Sequence, residues 1–152
     1  MANELSTAGI TIGYCVETTA GTKPTTGYTS IPNVKSIAEV NPEPATLEVT
    51  DLSDTTYKRY IPGLKDLGGA VALTVNMTKA FLTAWNTAVS AYATGISTGK
   101  ATWWRVTVSG VGTFDFAGAP TAAGLPGIET DSVFEGDVYI VPDKVDAWTL
   151  EA

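Results

Sequence analysis

The sequence ATWWRVTVSGVGTFDFAG, residues 101–118, contains the pattern that decides the fold. Side chains alternate in its first half, where Trp104 and Val106 share one face and Trp103 and Arg105 share the other. The glycine-containing turn GVG follows, and TFDFAG returns along the first strand. Two alternating segments joined by a short turn predict an antiparallel hairpin.

Upstream of the hairpin, a strand precedes the one helix that the sequence predicts. Residues 70–76 alternate strictly, which is typical of a strand with one buried face. Thr78 is a suitable N-cap, and Gly95 is a suitable end. The apolar residues between them recur at helical spacing: Phe81, Leu82, Trp85, Val89 and Tyr92. We therefore predict a helix over residues 78–94 that packs its aromatic face on a sheet.

The rest of the chain has the composition of a mainly β protein. The 15 glycines and 8 prolines, with few helix-forming side chains, favour short strands joined by turns. Further segments with strand character are residues 10–16, 31–40, 46–49 and 132–141, and a last short strand near Trp148. A flexible arm, residues 1–9, is expected to precede a single domain of residues 10–152, the usual size for one domain.

Two segments are predicted as loops. Residues 17–29 are rich in Thr, Gly and Pro. Residues 50–68 form the longest stretch without a clear period, and structureless loops of about twenty residues are usually functional or disordered. This second loop carries mixed charges together with large apolar side chains that have no obvious place inside the domain. We expect those side chains to contact another subunit.

Charge argues against nucleic-acid binding. The net charge is −7, and the nine basic residues are spread thinly, whereas phosphate contacts need clustered Lys and Arg. Charged residues make up only 16% of the chain, as expected when much of the surface is covered by partner subunits. A single cysteine forms no internal disulfide, and neither a signal peptide nor a membrane span is predicted. We expect a soluble protein made in the cytoplasm.

The sequence shows no arrangement of side chains typical of a catalytic site. There is no histidine, which removes the usual general base and the commonest metal ligand. Cys15 has no activating partner and is predicted to be a small buried residue. The string at residues 51–54, DLSD, lacks the glycine and closing glutamate of a calcium loop. The sequence therefore predicts no catalytic, cofactor-binding or metal-binding residue, and no enzyme.

Several stretches of the chain resemble the tail tube proteins of siphophages, the lambda-like family of long-tailed bacteriophages with non-contractile tails. The resemblance is carried by IPNVK at 31–35, PATLEVTDLSD at 44–54, YIPGLKD at 60–66 and the glycine pair at 68–69, followed by a strand that ends in Asn before a helix. Chain order and length agree along most of the sequence.

The resemblance implies two packed antiparallel sheets, sandwich-like or barrel-like, flanked by one α-helix, with a long inter-strand loop. In this family the subunits form rings, typically of six, that stack into the tube for DNA ejection. The implied partners are the chain itself, a tape measure protein and tail-end proteins. DNA passes through without specific binding, no membrane is involved, and no cofactor is needed. The implied location is the virion tail, after synthesis in the bacterial host cytoplasm.

The resemblance also assigns candidate assembly residues. The inter-ring or inter-subunit loop carries Asp51, Asp54, Tyr57, Lys58, Arg59, Tyr60, Ile61, Leu64 and Lys65. The N-terminal arm and a C-terminal arm at residues 148–152 are expected to add inter-subunit contacts. Glu135 and Asp137 share one strand face and are candidate lumen-facing acids, since an acidic lumen avoids capturing phosphates.

A different class of function stays open from the sequence. Trp103, Trp104 and Trp148 are candidate stacking surfaces for a carbohydrate- or receptor-binding β-sandwich of a phage virion. Alternatively, alternation buries one of the adjacent pair Trp103-Trp104 in the core and places the other under an arm or at a subunit contact.

Overall fold

A computed structural model describes residues 9–152 of the chain. Within that range the elements are β1 Thr11–Val16, β2 Thr29–Ser30, β3 Val34–Ile37, β4 Glu43–Glu48, β5 Tyr60–Asp66, β6 Val71–Asn76, α1 Lys79–Ile96, β7 Thr102–Val108, β8 Gly112–Pro120, β9 Glu135–Val145 and β10 Thr149–Leu150. The predicted class is confirmed: the protein is mainly β, with two antiparallel sheets and one helix.

The larger sheet contains eight strands, ordered β2-β1-β7-β8-β9-β6-β3, with β10 on β8. The long strand β9 joins its two halves. Residues 135–140 of β9 pair with β6, and residues 140–145 pair with β8, so Ile140 has a partner on each side. The predicted hairpin of β7 and β8 is confirmed, with Arg105 directly opposite Asp115.

The core lies between the two halves of the large sheet and α1. Ile12 and Trp104 enter it from the first half, Leu73 and Val138 from the second. Trp85 of the helix packs on Trp104 with ring centroids 5.5 Å apart. Both buried indoles are satisfied, because Trp85 Nε1 donates to the Thr121 carbonyl at 2.8 Å and Trp104 Nε1 to that of Gly118 at 3.1 Å.

The helix is capped as predicted but is longer. Thr78 Oγ1 accepts a hydrogen bond from the Phe81 N–H at 3.1 Å. Gly95, predicted to end the helix, lies inside it and is buried. A Cβ there would lie 2.7 Å from the Val16 side chain. The glycine is therefore needed for the close approach of α1 to β1, and Ser97 is the C-cap.

The predicted long loop is shorter than 50–68. Residues 60–66 form β5, which pairs antiparallel with β4 in a separate two-stranded sheet. Pro62 and Gly63 interrupt the sequence pattern, and both strands are exposed, so no alternation of apolar and polar residues marks β5. We call residues 43–66 the arm and residues 50–59 its tip.

Other element bounds also differ from the sequence interpretation. The segment 31–40 contains a strand only at β3, and β9 runs through Pro142, which was expected to end it. The register shift between Ala117 and Gly118 accommodates this part of β9. In the predicted C-terminal arm, Trp148 packs on Phe114 with centroids 5.2 Å apart, and β10 pairs with β8 of its own chain. The predicted N-terminal arm lies outside the described residues, except for Gly9.

Candidate assembly surface

The arm forms a small sheet of its own, which is not joined to the large sheet. Its two strands pair with each other and with no other described strand. Isolated two-stranded hairpins are marginally stable in water, so such a ribbon gains from a further surface. Its exposed large apolar side chains are Leu47, Val49, Leu52, Tyr57, Tyr60, Ile61 and Leu64. So many exposed large apolar side chains on one ribbon indicate an interaction site.

Hydrogen bonds within the tip fix its conformation. Arg59 Nε donates to Asp54 Oδ2 at 2.8 Å, and Arg59 Nη2 donates to Asp51 Oδ2 at 3.3 Å. The Arg59 N–H donates to Thr50 Oγ1 at 2.8 Å. Hydrogen bonds from Ser53 lower the pKa of Asp51. The Asp51 N–H and then Arg59 lower the pKa of Asp54.

The structure therefore divides the predicted loop residues into two groups. Asp51, Asp54 and Arg59 hold the tip together. The apolar members and the two lysines lie exposed along the tip and β5: Tyr57, Lys58, Tyr60, Ile61, Leu64 and Lys65. Leu47 and Leu52 were missed as candidates. Leu47 belongs to the segment 46–49, which was predicted only as a short strand, and it lies directly opposite Ile61 on the exposed arm.

The candidate lumen acids lie on the outward face of β9. Their neighbours Val138 and Ile140 point into the core, so Glu135 and Asp137 point away from it. Glu135 forms an ion pair with Lys35. Asp137 accepts a hydrogen bond from Thr74 Oγ1 at 2.8 Å. That this face lines the lumen of a tube stays a prediction.

A second region, residues 17–28, was predicted only as a loop and is fixed by buried charge. Asp115 is fully buried on the outer side of the β7–β8 hairpin. Arg105 donates to both of its carboxylate oxygens, at 2.8 and 3.0 Å, and Lys23 Nζ donates to Oδ2 at 2.9 Å. Lys23 also pairs with Asp146. Burial opposes ionisation of Asp115, but these cations hold its pKa below the ordinary value.

Glu17 fixes the start of the same loop. It is 3% exposed and accepts hydrogen bonds from the Ala101 N–H at 2.9 Å, the Gly21 N–H at 3.1 Å and Trp103 Nε1 at 3.0 Å. Burial opposes ionisation of Glu17, but these donors hold its pKa below the ordinary value. We call residues 17–28 the clamped loop. No sequence signal marks it, because Asp115 and Arg105 alone resemble any exposed cross-strand pair.

Residues of the clamped loop contact Trp103, one of the two adjacent tryptophans. Trp104 is fully buried in the core, and Trp103 on the opposite face is 5% exposed. The Trp103 ring lies beneath Lys23 and Lys144, with Nζ atoms 5.9 and 5.2 Å from its centroid. Neither ring offers a face for a sugar. Trp148 is half exposed.

Residues 9–152 contain no group of three or more His, Cys, Asp or Glu side chains arranged to hold a metal ion. Cys15 is half-buried, less enclosed than predicted, and burial raises the pKa of its thiol. Over the same residues, no helix has the length and apolar character needed to cross a membrane.

Comparison with known proteins shows a shared fold. The chain superimposes on the sheath/tube terminator of the PVC extracellular contractile injection system with a TM-score of 0.60 and 13% identity, covering 99% of each chain. For the tube terminating cap of the anti-feeding prophage the values are 0.59 and 13%, with 96% of this chain and 91% of that one covered. For the tail of an empty gene transfer agent particle they are 0.53 and 10%, with 84% and 89% covered. No protein-family model and no curated protein sequence matches the chain.

Proposed function

We propose that this protein is a structural subunit of a phage-like tail, which assembles with copies of itself into stacked rings that form the tail tube. The observation that carries the proposal is the arm, a separate ribbon whose large apolar side chains stay exposed in the described part of the chain. The fold shared with tail and tube-end proteins supports the same class of function.

The arm is suited to assembly for a physical reason. Covering a half-exposed Ile or Leu stabilises a contact by up to about 1–2 kcal/mol per side chain. The arm offers several such residues on a tip whose polar groups are already hydrogen-bonded to each other. Docking therefore buries apolar surface without breaking polar contacts. Rings of six are expected, because one related tail was solved with C6 symmetry.

In the proposed tube, DNA passes without specific binding and no reaction is catalysed. The chain has a net charge of −7, which repels phosphate from the wall. We propose Glu135 and Asp137 as lumen-facing acids. Lys35 neutralises Glu135 and leaves Asp137 as the stronger source of negative potential on that face. Tape measure and tail-end proteins are the further partners proposed, in a virion tail built from chains made in the host cytoplasm.

A second candidate is a tube-end subunit that stops polymerisation after one ring. Two structures with this fold are described as a tube terminating cap and a sheath/tube terminator, and both are covered almost completely. Electron microscopy of concentrated protein separates the two functions, because a tube subunit gives long tubes and an end subunit gives single rings. The carbohydrate-binding alternative is less favoured, since Trp103 and Trp104 are buried.

The test shortens the arm. Pro44 and Lys65 are register partners, so an Asn-Gly turn between them replaces residues 45–64 and closes the ribbon. The wild type should form rings or tubes, seen by negative-stain microscopy and light scattering. The shortened protein should stay a folded monomer with the wild-type far-ultraviolet spectrum of its body. Rings or tubes formed by the shortened protein would show that assembly does not use the arm.

A further inference from the structure

The body of the protein has an apolar groove at the base of the arm. It has a volume of about 1010 Å³ and lies where β3, β7 and β9 end and β8 begins. Its lining includes Val106, Phe114, Val145, Ile37, Val40 and Trp148. The first five are only partly buried against the core, and Trp148 is 48% exposed. We call this the end groove.

The tip of the arm is the apolar element suited to that groove. Leu52 is completely exposed and Tyr57 is 82% exposed, both on a tip fixed by its own hydrogen bonds. A fixed tip loses little conformational entropy on docking. The groove volume is at the upper end of the range for ligand pockets, enough for more than one large side chain.

The tip of the same chain does not reach the end groove. Val40 and Pro42, just before β4, and Lys65, at the end of β5, line the groove. The tip lies at the other end of the ribbon, and six residues of β4 span about 20 Å. An arm tip that occupies the groove therefore comes from a second copy of the chain.

The charges of the tip and of the end groove favour a contact between two copies of the chain. The tip contains two acids and two bases, Asp51, Asp54, Lys58 and Arg59, and the groove lining contains two of each, Asp143, Asp146, Lys65 and Lys144. Both are locally neutral in a chain with a net charge of −7, so they meet without the repulsion that opposes other contacts between copies. Among the described residues, Lys58 and Asp143 have no ion-pair partner and are available to each other.

We propose that the end groove of one subunit binds the arm tip of the next, with Leu52 as the central apolar contact and Lys58 facing Asp143. The contact joins two different surfaces, so its repetition produces rings or filaments and not a closed dimer. This inference rests on the proposed self-assembly and names the surface that receives the arm.

The test uses one variant for each side of the contact. Leu52→Asp alters the tip and leaves the groove intact. Ala147→Arg places a large charged side chain in the groove from an exposed residue that the core does not need. Each variant alone should associate at least about 30-fold more weakly than the wild type, the effect of losing an interface hot spot. Leu125→Asp, at an exposed leucine outside both surfaces, should assemble normally.

Mixing the two variants provides the decisive measurement. Leu52→Asp still has a groove and Ala147→Arg still has a tip, so an equimolar mixture should form a complex of two chains and no larger species in analytical ultracentrifugation. A mixture that stays monomeric would overturn the proposal. Ala38→Arg, at an exposed residue elsewhere on the lining, replaces Ala147→Arg if the latter fails to fold.

The outcomes separate this inference from the proposed function. If the wild type and Leu125→Asp form no assemblies at any concentration, the proposed self-assembly is wrong. If the wild type and both groove variants assemble while Leu52→Asp does not, the arm binds elsewhere and only the groove assignment is wrong. If all variants assemble, neither the arm tip nor the end groove takes part in assembly.

Discussion

The clamped loop and the arm are both long connections between strands, but they differ in where their side chains find partners. The clamped loop is almost entirely polar, yet it lies against the body, held by Glu17 and by the pairing of Lys23 with Asp115. The arm is rich in apolar side chains, yet its strands are exposed on both faces. Apolar content alone does not tell which connection packs on its own domain. The clamped loop has its partners within the chain, whereas the arm has no strand partner among the described residues outside itself.

This difference predicts that mutations in the two regions change the free energy of unfolding by different amounts. Removing the Asp115 carboxylate leaves the partly buried Arg105 without its ion-pair partner and leaves Lys23 with Asp146 alone. We expect Asp115→Ala to lower the free energy of unfolding by about 3–5 kcal/mol, as for other broken buried pairs. Denaturant unfolding of the arm-shortened protein, in which assembly does not interfere, measures the effect.

The control for that prediction is Asp143→Ala, an exposed aspartate on the neighbouring strand, which should change stability by less than about 0.5 kcal/mol. In the full-length protein Leu52→Asp should also change stability by less than about 0.5 kcal/mol, although it weakens association at least about 30-fold. Equal losses of stability from Asp115→Ala and Asp143→Ala would show that the clamped loop contributes nothing to the fold.

Acid should weaken the contacts that hold the clamped loop. The pKa values of Asp115 and Glu17 are held below their ordinary range in the folded protein, so unfolding takes up protons. Their contribution to stability is complete above the unfolded-state pKa near 4 and is lost as pH falls below it. The loss should be smaller than that of Asp115→Ala, because a protonated carboxyl still accepts hydrogen bonds.

Urea unfolding at pH 7 and pH 3 measures how stability depends on pH. The arm-shortened protein is compared with the same protein carrying Asp115→Asn. Stability lost between the two pH values should be smaller in Asp115→Asn than in its parent. In the full-length chain at monomeric dilution, Asp54→Asn should lose nearly as much as the wild type, since Asp54 pairs with Arg59, whose exposed guanidinium is screened by solvent. A pH dependence that disappears with Asp54→Asn would place the acid sensitivity in the arm.

The smallest expected effect lies at the base of the arm. Glu43 and Asp66 are direct cross-strand partners, and like charges in that position destabilise a ribbon. Glu43→Lys converts them into an opposite pair and should slow amide exchange in β4 and β5 about twofold in a dilute monomer. Glu129→Lys makes the same change of charge outside the arm and should leave that exchange unchanged. Equal protection in both variants would assign the effect to net charge.

The sequence predicted the elements whose signals are local. The β7–β8 hairpin follows from alternation and a glycine turn, and α1 follows from the Thr78 cap and the spacing of Phe81 and Trp85. The apolar residues of residues 50–68 were correctly expected to lie outside the core, because no facing segment of suitable pattern is present to cover them. What the sequence did not predict is that residues 60–66 of that segment form a strand.

Tertiary structure alone decided where the two connections lie. Lys23 meets Asp115 and Asp146, which are 92 and 123 residues away along the chain. No periodicity records an ion pair between such distant positions, and a buried aspartate has the same letter as an exposed one. Likewise β5 pairs only with β4, and a ribbon exposed on both faces imposes no alternation on its sequence. Local pattern therefore determined the sheet and helix, whereas long-range pairing determined that residues 17–28 are held against the body and that the arm stands as a separate ribbon.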